Sequence, residues 1–201
     1  MKNKKIILSI LIIIFVILFM VLVLSITKNK NEGSTNDNED ISDALKIKKE
    51  YESLNNKDNN IDVKLKDNNV FIYATKSKII KTLDSGTDLI FIGKKDDPNS
   101  RNIINILNYL NVNRILYLSM ENDEIKELLN GYDIKSDEDI NCVVIGVYNG
   151  EIVGYNINTI DNKSVSEKLD NESINTLKLK LDELVLKVSG ESCDIEESEG
   201  C

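Results

Sequence analysis

An unbroken apolar run from Ile6 to Ile26, interrupted only by Ser9 and Ser25, sets the first limit on this chain. As a helix rising about 1.5 Å per residue, it would reach roughly 31 Å, the thickness of a bilayer's hydrocarbon core. A core helix of a soluble domain would need a polar face, and the run has none. Lys2, Lys4 and Lys5 precede it, and Lys28 and Lys30 follow. A cleavable signal peptide has a shorter apolar core and ends in small residues. Val21-Leu22-Val23-Leu24-Ser25 offers a poor cleavage site, so an uncleaved anchor is the preferred expectation. No Cys lies near the run, which argues against a lipid-modified anchor. The lysine bias favours residues 1–5 in the cytoplasm and the rest outside, as a single-pass protein of the cell membrane.

Charge divides the chain at the same place. The first 30 residues hold five of the 25 basic residues and no acidic ones. The remainder carries 20 basic against 34 acidic residues, a net charge of −14. Such a domain is repelled by anionic lipid and by nucleic acid, so nucleic-acid binding is not expected. Residues 27–40 are polar and poor in hydrophobic side chains and read as a disordered tether. Residues 41–189 are long enough for one hydrophobic core, and 190–201 form an acidic, cysteine-containing tail.

Periodicity within 41–189 points to an α/β domain. Ala44, Leu45, Ile47, Tyr51 and Leu54 make an imperfect helical stripe. Ile61, Val63 and Leu65 alternate with polar residues and suggest a short strand, and Val70 to Tyr73 suggests a second. Ser77 is positioned to cap a helix through Leu83 that stops at Gly86. Leu89-Ile90-Phe91-Ile92 is continuously apolar, as in a strand buried on both faces. The loop Gly93-Lys94-Lys95-Asp96-Asp97-Pro98 leads to a helix with Ile103, Ile104, Ile106, Leu107 and Leu110 inward. Arg114 to Leu118 reads as a strand and Glu124 to Leu129 as a helix. Cys142 to Tyr148 and Glu151 to Ile157 are strands joined by Asn149-Gly150, a strong hairpin signal. Leu177, Leu181, Leu184, Val185 and Val188 mark a closing helix. From Leu89 the order includes a parallel βαβ unit, then a hairpin and a helix.

Four features together resemble the thioredoxin superfamily, in particular its membrane-anchored, bacteriocin transport accessory-like members. They are Tyr51-Glu52-Ser53-Leu54-Asn55 after the anchor, Phe91-Ile92-Gly93 followed by Asp97-Pro98-Asn99-Ser100, the strand Val143 to Gly150 ending in Asn-Gly, and a tail with Cys193 and Cys201. The resemblance covers residues 50–201 and implies a thioredoxin-like mixed sheet flanked by helices, preceded by one transmembrane helix. It also implies where chemistry would sit. Asp97 and Ser100 occupy the places of the family's two catalytic thiols, and Cys142 occupies that of its cis-proline. Pro98 is the only proline. Neither a carboxylate nor a hydroxyl exchanges with a disulfide, so that site is expected to be redox-dead.

Asp97 has a simpler use as a helix cap, with Pro98 suited to the first helical turn. The chain has no His, and no third ligand accompanies Asp96 and Asp97, so no metal or cofactor is expected. Lys94 and Lys95 read as solvated loop charges. Cys142 is either a packed, inert thiol or a lone thiol facing the family's peptide groove. Cys193 and Cys201 are a candidate disulfide outside the membrane; they can also be read as a redox pair or as metal-binding thiolates. Two functions follow. The first is a membrane-tethered, extracytoplasmic accessory or binding module for an unidentified protein or peptide. The second is a thiol–disulfide oxidoreductase working through Cys193 and Cys201. A structural subunit of an envelope assembly is a weaker third.

Overall fold

A computed structural model describes residues 37–57, 61–134, 139–159 and 165–190. The elements are α1 (Asp37–Glu52), β1 (Phe71–Tyr73), α2 (Lys76–Ser85), β2 (Asp88–Ile92), α3 (Pro98–Leu107), β3 (Ile115–Leu118), α4 (Asn122–Asn130), β4 (Val143–Tyr148), β5 (Glu151–Ile157) and α5 (Asn171–Ser189). They form a five-stranded mixed sheet flanked by helices, in the order β1-β3-β2-β4-β5. β1, β3 and β2 are parallel, whereas β4 is antiparallel to β2 and β5 to β4.

The continuous apolar run of β2 follows from burial on both faces. Leu89 and Phe91 join one core cluster with Ile115, Tyr117 and Val144 of the neighbouring strands and with residues of α1, α3 and α5. Ile90 and Ile92 join the other, with Leu116, Ile145 and residues of α2 and α4. Alternate side chains point to opposite faces, so each run supplies both layers. The residues expected at the centre, Ile90, Ile92, Ile104, Leu107, Val144, Leu181 and Leu184, are all buried. Asn149 (φ 52°) and Gly150 (φ 79°) turn the β4–β5 hairpin. Two successive residues at positive φ are what a two-residue turn with matching twist demands.

Four local expectations are corrected. α1 begins at Asp37, so four residues assigned to the tether are helical. Ile61, Val63 and Leu65 are buried in alternation, yet they pair with no strand. Thr75, not Ser77, caps α2, accepting a hydrogen bond from the Lys78 N–H. Cys142 precedes β4 instead of opening it. Among the described residues no helix is long and apolar enough to cross a membrane. The expected span from Ile6 to Ile26 and the tail cysteines Cys193 and Cys201 lie outside the described residues.

Candidate functional site

β2 delivers the chain through Gly93 to the start of α3, where the sequence placed its candidate chemistry. Asp97 has extended backbone, and its carboxylate accepts a 2.6 Å hydrogen bond from the Ser100 N–H. Pro98 follows as the first helical residue, so the absent N–H leaves no donor unsatisfied. This is the capping role that the residue types allow. The Ser100 hydroxyl is buried and accepts the Lys94 N–H at 3.0 Å. Asn99 is also buried, and its side-chain carbonyl accepts the Val165 N–H at 2.8 Å.

Cys142 joins this cluster from the loop before β4. Its thiol is fully buried beside Ser100 and donates to the Asn158 carbonyl at 3.9 Å. Burial pushes the thiol's pKa well up, and the Asp97 charge pushes the same way; hydrogen bonds from Ser100 and Asn158 oppose both only in part. A Cβ on Gly93 would collide with Ser100 Oγ and Cys142 Cβ, so the close approach of the three requires glycine there. The structure therefore brings Asp97, Ser100 and Cys142 together.

The loop that holds Cys142 has its backbone groups taken. The buried Asn158 side chain accepts the N–H groups of Asn141 (2.8 Å) and Cys142 (3.3 Å), and the Asn158 N–H donates to the Cys142 carbonyl at 2.9 Å. No cis peptide bond occurs among the described residues. A peptide backbone seeking partners on this loop would have to displace Asn158. Beneath Gly93, the Tyr51 hydroxyl donates to Tyr117 (3.2 Å), which donates to the Gly93 carbonyl (3.4 Å). Burial raises the pKa of both phenols. Lys94 faces Glu121 at 2.8 Å, an ion pair that raises the lysine's pKa; Lys95 and Asp96 are exposed. Among the described residues no group of three potential metal ligands is found.

One residue of this region was missed from sequence. Arg101 is fully buried, and no carboxylate lies within ion-pair distance of it among the described residues. Its guanidinium donates to the carbonyls of Ile61 (2.6 Å), Tyr51 (3.0 Å) and Lys95 (2.7 Å) and to the Asn55 side chain (2.8 Å). Burial lowers its pKa from the ordinary arginine value. The rigid fork of donors suits Arg to tying three separate segments to α3. The asparagines at 99, 102 and 105 on α3 and at 108 on its C-cap mark the helix as polar in places, but not which backbone groups it meets. Comparison with protein-family models, with curated proteins and with solved structures finds no match to this chain.

Proposed function

We propose that the chain is a thioredoxin-like binding or accessory module, held outside the cell membrane by Ile6 to Ile26 and redox-dead at its helix start. The strand order β1-β3-β2-β4-β5, in which β4 alone runs opposite to the other four, supports the thioredoxin-like assignment. The observation that carries the functional reading is the construction of the α3 start. Asp97 is committed to capping the helix, Ser100 is buried, and the nearby Cys142 thiol is sealed from solvent. Disulfide exchange needs an accessible thiolate that attacks sulfur and a second thiol that resolves the mixed disulfide. Neither role can be filled by a carboxylate or a hydroxyl, and burial keeps Cys142 protonated.

The Asn158 side chain holds the backbone N–H of Cys142, and Asn99 is taken by the Val165 N–H, beside that site. A partner is therefore bound elsewhere on the domain. The test restores the missing thiols. Asp97→Cys with Ser100→Cys places two sulfurs at a helix N-terminus, where the helix dipole favours a thiolate. The expected result is an internal disulfide between the engineered cysteines and a weak gain of reductase activity. Two thiols that remain free under oxidising conditions would count against the thioredoxin-like assignment.

A further inference from the structure

Residues 61–66 are extended and alternate between buried and exposed, yet no strand receives them. Their main chain is met almost entirely by side chains. The Asn55 amide takes both the N–H (2.8 Å) and the carbonyl (2.7 Å) of Val63. Asn105 takes the Asp62 carbonyl (2.9 Å) and the Lys64 N–H (3.1 Å); Asn108 takes the Lys64 carbonyl (3.2 Å) and the Lys66 N–H (3.3 Å). Glu52 accepts the Leu65 N–H, and Arg101 donates to the Ile61 carbonyl.

A primary amide presents an N–H and a C=O on one edge, the pair that a strand residue turns towards its neighbour. Three asparagines used in this way read a main chain without reading its side chains, as an adjacent strand would. Identity enters only through the apolar sites that bury Ile61, Val63 and Leu65, while Asp62, Lys64 and Lys66 point outward. We infer that the cleft between the end of α1 and α3 is a receptor for an extended peptide with apolar residues at alternate positions, and that residues 61–66 are its built-in occupant. A partner segment of the same alternation would meet the same amides and the same apolar sites. The proposal rests on the binding-module reading but not on the thiol site, so reductase assays and peptide titrations fail separately.

The test uses the full chain in detergent and a fluorescent peptide with the sequence of residues 58–69. Val63→Asp places an unpaired charge in the apolar site and ejects the resident segment while leaving all three asparagines in place. That variant should bind the peptide. The parent should bind it about tenfold or more weakly, because its own segment competes at a high effective concentration. Asn105→Ala with Asn108→Ala should abolish binding. A peptide with serine at the positions of Asp62, Lys64 and Lys66 should bind equally well, and one with aspartate at those of Ile61, Val63 and Leu65 should not. A folded Val63→Asp chain that ignores the peptide overturns the proposal. So does one that dimerises instead, since the occupant would then be a second copy. If Val63→Asp does not fold, hydrogen exchange of the parent decides. The Lys64 and Lys66 amides should exchange through an opening that leaves Ile90 and Val144 protected. Exchange only together with those core strands would overturn it.

Discussion

At Cys142 and Arg101, ionisable groups are buried away from water, with opposite consequences for their pKa. Burial raises the Cys142 thiol above its ordinary value of 9.0 and the Tyr51 phenol above 10.0. A group whose folded pKa is raised keeps its proton where the unfolded chain would lose it. Its contribution to stability is therefore whole below the unfolded pKa and is lost as pH rises through the alkaline range. Denaturant titrations should find stability falling as pH rises beyond about 9. In the same vein, Cys142 should resist alkylation at about pH 8.5, near an ordinary thiol pKa, and react promptly once denaturant is added. Fast alkylation of the native protein would contradict the burial. For Arg101, Arg101→Met leaves three carbonyls without their buried donor and should cost about 3 kcal/mol in chemical denaturation. Arg101→Lys should recover little of that loss, because one ammonium cannot span the positions a guanidinium fork reaches.

Helices and strands differ in how far their sequences disclosed them. β2 and the Asn149-Gly150 hairpin were legible because burial on both faces and positive φ each leave a local signature. Gly150→Ala should cost about 2 kcal/mol, since a Cβ there would strike the Asp84 carbonyl at a backbone angle that alanine tolerates badly. The cap of α3 was equally legible. Asp97→Ala should cost about 1 kcal/mol, and Asp97→Asn should restore most of it. What could not be read was the segment at Ile61, Val63 and Leu65. Its alternation is that of a strand, but its partners are side chains distant in sequence. Nor did the apolar stripe of α3 disclose its asparagines' use. Steps of three residues rotate about 60° short of a full turn each, so the four asparagines spread around the helix. Asn99 and Asn102 accordingly hold the segment of Val165 and Leu169, whereas Asn105 and Asn108 hold residues 62–66. A sequence pattern records that such residues are polar, not which backbone they will satisfy.

Over the whole molecule, the proposed architecture joins a lysine-flanked apolar run, as an anchor, to an acidic α/β domain whose Ser100 and Cys142 are buried. An anchor at Ile6 to Ile26, as proposed, predicts that the chain fractionates with membranes and is released only by detergent. A soluble mature form beginning near Ser25 or later would contradict it. The acidic domain should also be digested by protease added to intact, wall-stripped cells, if residues 31–201 lie outside. Asp97, Ser100 and Cys142, which the sequence singled out through the resemblance, lie together in the structure. The closure of this site by Asn158 and Val165 was not legible, because Asn158 meets the loop before β4 and Val165 meets Asn99 of α3, pairings between separate segments that leave no local pattern. Whether that closed site exchanges disulfides separates a binding module from an oxidoreductase. The direct measurement is insulin reduction by the Cys193→Ser, Cys201→Ser double variant, which removes both thiols outside the α3 cluster. No activity above the uncatalysed rate is predicted; robust reduction by that variant would contradict the account.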